Sequence, residues 1–488
     1  MSTPVLVSFG LYLLLMLIIG IYFYRTTSDL SDYILGGRNL PSGVAALSAG
    51  ASDLSGWALM GLPGAVFSGG LSEAWIAVWT LVGVYFNWKV IAERLRVFTE
   101  AAGNALTVPD YLEARFMDSQ RILRTASSAV MLLFFTFYVS AGLVGSAVLF
   151  EGVFDVNYSL ALWVSAIVIV SYTFLGGFLA ASWSDLIQGV MMAAALASAA
   201  LMTWFLLSGE SAPAVAGSGG LDPLGGFMEG MTVVGMLSVA GWAIGYCGQP
   251  HVVVRFMAVR NREAVKVSRR IAMVWSSITM ISAVAVGALG YYWFGGELEN
   301  SERVFIELVN VMFHPWVAGF VLAGVLAAIM STIDSQLLVC SSAISEDIYR
   351  GFIKPDASQS ELVWLSRGSV VAIALIAAVL GMDQDSTILD LVAYAWGGFG
   401  AAFGPVILLS LFWANMSRNG AIAGLVTGAV TVAVWRPLNG GPAGIFDMFE
   451  VVPGFFLSLL AIVLVSSLGD SQRERSRFGE LMNVWDRP

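Results

Sequence analysis

The residues best suited to do chemistry in this chain lie in an apolar stretch from Ala51 to Gly64, ASDLSGWALMGLPG. Asp53 adds a carboxylate, which is costly at membrane depth unless it faces a cavity or a partner. The glycines and the proline weaken a helix and free backbone carbonyls, which inside a membrane need protein, water or an ion as partners. The stretch therefore predicts an oxygen-lined cation site beside Trp57.

Asp53 also allows two other interpretations. The carboxylate could cap a broken helix or pair with a basic residue, or it could carry a proton in place of a bound cation. Na+ is a hard ion and suits oxygen ligands, as other hard cations do, and acids within membrane spans are functional by default. We favour the cation site, and the residues alone leave Na+ and H+ both open.

A second group of oxygen ligands lies in LAAIMSTIDSQ, Leu326 to Gln336. Ser331 and Thr332 are consecutive hydroxyls, and Asp334 follows them closely. Hydroxyls in membrane helices usually bond to the backbone of their own helix, and for an isolated pair that interpretation would prevail. Combined with a broken helix that carries an acid, the two hydroxyls become candidate ion ligands.

Aromatic residues near the interrupted segments are candidates for a solute pocket. Trp242 and Tyr246 are four residues apart and therefore share one helix face, Trp57 lies beside Asp53, and Tyr138 lies in the middle of a later apolar run. Most aromatics in such a chain face lipid, but a small-molecule site is mostly apolar with few polar groups. Pro250 ends an apolar run and could shape the same cavity.

Asp185, in ASWSDLIQ, stands near the start of another apolar run. An acid in the first turn of a helix would cap it or interact favourably with its dipole. A role in ion passage is an equally good interpretation of this residue.

Membrane helices must position these residues. The chain has 488 residues, of which 58% are hydrophobic and 12% charged, against about 25% charged residues in a typical soluble domain. Apolar runs of about twenty residues recur and predict an all-α polytopic membrane protein with about thirteen spans. The expected spans are 4–24, 41–68, 74–93, 123–149, 158–177, 183–208, 230–250, 270–294, 314–343, 366–382, 389–414, 419–436 and 451–468.

Several other function classes find no support in the sequence. The net charge of −10 and the lack of a basic surface argue against a nucleic-acid partner. Cys247 and Cys340 stand in apolar surroundings and are expected to be buried, while His251 and His314 lack metal-ligand spacing. No nucleophile–base pair appears, so we expect no enzyme. The segment 4–24 lacks a basic start and is interpreted as the first membrane helix.

Charge in the loops predicts the orientation. Basic residues follow the odd-numbered spans apart from the short turn after the fifth, as Arg94 and Lys266 illustrate, whereas the intervening loops carry acids such as Glu73 and Glu151. Because positive charge marks the cytoplasmic side, we expect the N-terminus outside and the C-terminus in the cytoplasm.

Two interrupted segments suggest an internal repeat. One contains Asp53, and the other is GWAIGYCGQP, Gly241 to Pro250. They begin two groups of five spans, and the odd offset reverses the second group, an arrangement that points to a transporter's binding site. The predicted organisation is one transporter domain, 1–468, with an extra first helix (4–24), two inverted repeats (41–208 and 230–414) and two extra helices (419–468), followed by a short cytoplasmic tail (469–488).

Motifs along the whole chain resemble the sodium:solute symporter family. The stretch around Asp53 is the strongest of them. In place of the family's usual Leu-Ser-Cys, this chain has Ile-Asp-Ser at 333–335, which adds the acid Asp334. The motifs are DYILGGR (32–38), LSAGASDLSGWALMGLPGAVF (47–67), VPDY (108–111), SYTFLGGFLAASWSD (171–185), GYCGQPHVVVRFMA (245–258), RVFIEL (303–308), AAIMSTIDSQLLVCSSAISED (327–347), YAWGGFGAAFGP (394–405) and RNGAIAGLVTGA (418–429).

The resemblance implies a leucine-transporter-type inverted-repeat fold and Na+-coupled uptake of L-proline across a bacterial inner membrane. It implies one Na+ site between the second and ninth spans, with Asp53 at or near it. The implied Na+ ligands are backbone oxygens near Ala51, Leu54 and Ala328 and the hydroxyls of Ser331 and Thr332. The implied proline pocket consists of Ser55, Trp57, Tyr138, Trp242, Tyr246 and Pro250.

Three alternatives to this function remain open. A family member for another solute, such as pantothenate, a monocarboxylate or a sugar, should differ in the pocket aromatics, which here match proline. Proton coupling would make Asp53 the titrating group. A membrane sensor would need a soluble output domain, and the tail after residue 468 is too short for one.

Overall fold

The computed structural model describes residues 3–26, 34–209, 224–382, 387–438, 442–469 and 471–486. Asp32 and Tyr33 of the DYILGGR motif lie outside these ranges. Within them the chain is helical without β-strands, apart from one parallel bridge between Leu40 and Val259. The predicted all-α class is confirmed.

Ten helices of the described ranges are long and apolar enough to cross a membrane. Three shorter apolar helices, Trp57–Gly69, Tyr158–Ser171 and Val233–Gly248, lie among them. The exact number of thirteen spans therefore stays a prediction. The α-helices are α1 (Thr3–Thr26), α2 (Ser42–Asp53), α3 (Leu62–Gly69), α4 (Trp75–Phe86), α5 (Ala92–Ala101), α6 (Val108–Phe116), α7 (Ile122–Phe154), α8 (Tyr158–Leu207), α9 (Val233–Ile244), α10 (Pro250–Ala258), α11 (Arg262–Phe294), α12 (Val304–Met312), α13 (Pro315–Ser342), α14 (Gln359–Leu380), α15 (Ile388–Phe412), α16 (Arg418–Trp435), α17 (Val451–Leu468) and α18 (Gln472–Trp485).

The helix that contains Asp53 is interrupted, as its glycines and proline predict. α2 ends at Asp53, because Leu54 leaves helical geometry with φ −78° and ψ 20°. A π-helical turn from Trp57 to Gly61 follows before α3 begins. Gly56 is required here, since a Cβ atom at this position would lie 2.7 Å from the Ile329 side chain of α13. The break therefore brings α2 and α13 close together.

The second interrupted segment is also broken where its sequence predicts. α9 ends at Ile244, a 3-10 turn covers Gly245–Gly248, and Gln249 is extended with φ −79° and ψ 103°. α10 then begins at Pro250, a position where proline costs nothing because the first helical N–H has no intrahelical partner.

α13 and α15 form the centre of the molecule. In each of these spans, 83% of the residues in the most apolar window are buried, against 33% in α1. Ser331 and Thr332 thus stand on a helix that is surrounded by protein, whereas α1 lies at the periphery.

The segment predicted as a short tail contains the helix α18, which packs against α5 and α6. Leu481 is buried, and the Phe478 ring meets Phe98 edge-on with centroids 5.9 Å apart. The Arg262 guanidinium lies 3.8 Å from the centre of the Trp485 ring. These contacts fix the tail helix to the body of the protein.

Candidate functional site

Four oxygen atoms of α2 and α13 meet at the first helix break. The Ser331 hydroxyl lies 2.9 Å from the carbonyl oxygens of both Ala51 and Ala328. The Thr332 hydroxyl lies 3.3 and 3.2 Å from the same two carbonyls. Each hydroxyl has one proton, so two protons serve four close contacts. Such an excess of oxygen lone pairs is suited to a hard cation.

The contacts with Ala51 distinguish this cluster from ordinary hydroxyl bonding. Ser331 and Thr332 reach Ala328 within their own helix, which is the usual arrangement in membrane helices. Their contacts with Ala51 cross to another helix 280 residues away in the chain. Leu54 follows Ala51 by three residues, is fully buried, and donates its N–H to the Gly50 carbonyl at 2.9 Å.

The Asp53 side chain lies beside His251 of α10. Neither carboxylate oxygen has a hydrogen-bond partner in the described part of the chain. The Nε2 atom of His251 lies 3.6 Å from Oδ1, which is too far for a hydrogen bond. The Asp53 backbone carbonyl instead accepts hydrogen bonds from the Trp57 indole at 2.9 Å and the Tyr138 hydroxyl at 3.2 Å.

Aromatic side chains of both broken helices meet next to this carbonyl. The rings of Trp57 and Trp242 stack with centroids 5.2 Å apart. The centroid of the Trp396 ring, on α15, lies 5.0 Å from that of Trp242 and 6.1 Å from that of Tyr246. Ser55 joins the group by accepting the Trp57 backbone N–H at 3.4 Å. The structure thus brings the predicted aromatics and Ser55 together.

Pro250 lines a cavity together with Val254, Arg255 and Ser335, and the four predicted pocket aromatics are not among its lining residues. The cavity volume is about 20 Å³, which holds one water molecule and is far too small for an amino acid. Pro250 therefore begins the part of α10 that borders a small, mostly apolar cavity, which residues of α13 such as Ser335 and Leu338 also line.

A buried ion pair involves Arg255, one of the residues that line this cavity. The Arg255 guanidinium lies 3.2 Å from the Asp185 carboxylate, which also accepts the Ser48 hydroxyl at 2.6 Å. Arg255 further donates to Ser335, next to Asp334. Asp185 lies eight residues beyond the break at Gly177, where φ is 73°. The interpretation of Asp185 as a helix cap is therefore wrong, because a cap acts only within the first turn.

Three residues of this site are absent from the sequence-based prediction. From the sequence, His251 is considered only as a metal ligand, and no role is assigned to Arg255. Trp396 was one aromatic among many. The signal for the first two was available, because both lie within the apolar run HVVVRFMA directly after the second break, and ionisable residues at membrane depth mark function.

Together, two broken helices, a cross-helix oxygen cluster and an adjoining aromatic cluster define a secondary transporter of the broken-helix type. The model of the sodium:solute symporter family matches residues 33–428. The chain belongs to the sodium:solute symporter family.

Curated relatives match almost the whole chain. A sodium/proline symporter of Salmonella typhimurium is 48% identical over 476 residues, which cover 96% of this chain and 94% of the relative. The high-affinity proline transporter PutP of Bacillus subtilis is also 48% identical over 476 residues, with 96% and 99% covered. A sodium/proline symporter of Escherichia coli is 47% identical over 489 residues, with 98% and 96% covered.

Solved structures share the fold at low identity. A Na+-coupled sialic acid symporter in a substrate-bound outward-open state superposes with a TM-score of 0.81 at 19% identity, covering 96% of this chain and 99% of that one. A nucleobase-cation-symport-1 family transporter gives a TM-score of 0.55 at 16% identity, covering 93% and 99%. The predicted leucine-transporter-type fold is confirmed.

Proposed function

We propose that this protein is a Na+-coupled symporter that imports L-proline by alternating access. The proposal rests on the 48% identity to sodium/proline symporters over nearly the whole chain. It is supported by the proximity of an oxygen cluster suited to a hard cation and an aromatic cluster suited to a small solute.

Na+ would bind at the four oxygens of Ala51, Ala328, Ser331 and Thr332, with the Leu54 carbonyl as a further ligand. In this role the ion would hold the end of α2 against α13. Asp53 would act at two places. Its carboxylate would add negative charge near the ion. Its backbone carbonyl would position the side chains of Trp57 and Tyr138 in the pocket.

Proline would bind among Ser55, Trp57, Tyr138, Trp242 and Tyr246. The charged groups of the zwitterion would meet freed backbone groups at the helix breaks. A proline ring between two indoles needs roughly 7–8 Å between them, because apolar contacts lie at about 3.5–4.0 Å on each side. The Trp57 and Trp242 rings are 5.2 Å apart, so proline entry requires them to separate.

Pro250 would contribute by fixing where α10 begins. It follows the extended Gln249, and the Gln249 side-chain amide donates to the carbonyls of Gly245 and Trp396 at 3.1 and 3.0 Å. This arrangement would hold the second break open beside the pocket aromatics.

The ion gradient supplies enough energy for uptake. One charge crossing 100 mV contributes about 2.3 kcal/mol, and a tenfold Na+ gradient adds about 1.4 kcal/mol. One Na+ per proline would therefore sustain an accumulation of roughly several hundredfold.

We further propose that the chain lies in the bacterial inner membrane with the N-terminus outside and the C-terminus in the cytoplasm. The alternation of basic and acidic loops supports this orientation. The repeats would be 41–208 and 230–414, with 4–24 and 419–468 outside the core and 469–488 as the cytoplasmic tail.

The decisive experiment is uptake of labelled L-proline into proteoliposomes that contain the purified protein. An inward Na+ gradient is compared with an equal K+ gradient at fixed pH. We expect uptake with Na+ alone. Uptake that follows a pH gradient and ignores Na+ would establish proton coupling, and Na+ binding without proline uptake would overturn the substrate but keep the ion site.

A further inference from the structure

The helix α11 begins with three cationic side chains that the transport mechanism does not use. Lys266 and Arg270 are exposed, and Arg269 is half-buried. Within the described ranges, the side chains of these three residues make no ion pair or hydrogen bond. By contrast, Arg262 in the first turn of the same helix interacts with Glu93. The three charges are therefore available to a partner outside the protein.

The length of α11 places these charges at the membrane surface. Its 33 residues span about 50 Å at 1.5 Å per residue, whereas the hydrocarbon core is about 30 Å thick. Residues 271–294 carry no charge and fill that core. Arg270 then lies at its boundary, and Lys266 lies one turn, about 6 Å, further out. The headgroup layer on each side is roughly 5–7 Å thick, so both cations lie within it.

The other end of α11 supports this placement. Tyr291, Tyr292 and Trp293 stand in its last turn, and tyrosine and tryptophan are enriched where a membrane meets water. The helix thus has aromatic residues at one membrane–water interface and the basic residues at the other.

The two exposed cations lie on the lipid-facing side of the helix. Val267, Val274 and Ile281 are 47%, 63% and 66% exposed, and residues seven apart share one helix face. Arg270 lies three residues after Val267 and four before Val274, and Lys266 lies four residues before Arg270, so each is a neighbour on the helix surface. We call these five residues the basic stripe.

We propose that the basic stripe binds a phospholipid with a negatively charged headgroup. Lys266 and Arg270 would bind the headgroup oxygens, with the Arg270 fork suited to phosphate. An acyl chain would lie along Val274 and Ile281. The charges are complementary, and the apolar residues continue directly from the cationic pair into the hydrocarbon core. A free phosphate would use only the cationic end.

Two basic side chains near a membrane surface correspond to about thirtyfold tighter binding of an anionic than of a neutral phospholipid. This preference is independent of proline and Na+, so the binding assay and the transport assay can fail separately. Exposed substitutions away from special structural features change stability little, so the variant proteins should fold.

Native mass spectrometry of the purified full chain, with equal amounts of phosphatidylglycerol and phosphatidylethanolamine, tests the proposal. The test variant is Lys266→Gln/Arg270→Gln. The matched control is Arg473→Gln/Arg475→Gln, which removes the same charge from exposed positions of α18. A third sample adds 10 mM inorganic phosphate to the unmodified protein.

We expect the unmodified protein and the control to retain phosphatidylglycerol about thirtyfold over phosphatidylethanolamine, and the test variant to lose this preference. Inorganic phosphate should leave the bound lipid in place. Equal retention in the test variant, an equal loss in the control, or displacement by inorganic phosphate would each overturn the proposal.

Discussion

The hydroxyl oxygen of Ser331 lies 2.9 Å from the carbonyl oxygen of Ala51. This contact joins the middle of α13 to the last turn of α2, and the Asp53 carbonyl two residues further on accepts from Trp57 and Tyr138. An ion at the oxygen cluster and a solute among the aromatics would therefore share one short piece of backbone. We infer that coupling between the two ligands passes through residues 51–57.

Replacing Ser331 with Ala should weaken Na+ binding by roughly ten- to a hundredfold, because one lost oxygen contact to a charged group costs about 1.5–3 kcal/mol. The Na+ concentration for half-maximal proline uptake measures this. Ser341→Ala is the matched control, since among the described residues its buried hydroxyl bonds only to Leu338 of the same helix, at 2.9 Å. An unchanged Na+ dependence in Ser331→Ala would remove this hydroxyl from the ion site.

Trp57→Phe removes the indole N–H but keeps an aromatic ring. One lost neutral hydrogen bond costs about 0.5–1.5 kcal/mol, so the KM for proline should rise roughly two- to twelvefold. Trp79→Phe is the control, because the Trp79 indole nitrogen is buried without a hydrogen-bond partner among the described residues. Equal KM values for Trp57→Phe and the unmodified protein would show that the bond to Asp53 does not shape the pocket.

Asp185→Asn should destabilise the protein, because it leaves the buried Arg255 guanidinium without its carboxylate partner. Breaking a buried ion pair costs about 3–5 kcal/mol, and we expect the lower end because Arg255 keeps its hydrogen bond to Ser335. Thermal unfolding in detergent measures the loss.

The double variant Asp185→Leu/Arg255→Met is the matched comparison for that prediction. Apolar replacement of both partners is often neutral or stabilising, so the double variant should unfold at a higher temperature than Asp185→Asn. The reverse order would show that Asp185 stabilises the fold through contacts other than the ion pair, such as the one to Ser48.

Leu481→Asp should release the tail helix α18, because it would bury a charge in an apolar contact. Limited proteolysis should then cut the tail of the variant faster than that of the unmodified protein, since detached segments are cleaved first. Val484→Asp is the control, because Val484 is 38% exposed. Equal cleavage of both variants would mean that the Leu481 contact does not hold the helix.

The helix breaks could be predicted from sequence because their causes are local. Helical geometry fails at Leu54, two residues before Gly56, and at Gln249, directly before Pro250, so both breaks lie beside residues that weaken a helix. The basic and acidic loops and the apolar runs are equally local, and the all-α class follows from them.

The meeting of Ala51 with Ser331 could not be derived from the spacing of the residues. It joins positions 280 residues apart, and only the family resemblance suggested it. The Asp53 carboxylate points toward His251 because of how α10 packs against α2. Neither sequence motif alone specifies this packing. Asp185 was misjudged as a possible cap because the break that starts its helix lies at Gly177, eight residues earlier.

The docked helix α18 has a consequence for how the protein is made. Its partners α5 and α6 are complete when the ribosome passes residue 116, but α18 begins only at residue 472. At a translation rate of about 5–20 residues per second, roughly 20–70 s pass between the synthesis of α6 and that of α18. Phe98 and Arg115 remain uncovered by α18 for this time. During that interval the surface around Phe98 is exposed to chaperones. It becomes buried only when α18 has been synthesised and packs against α5 and α6.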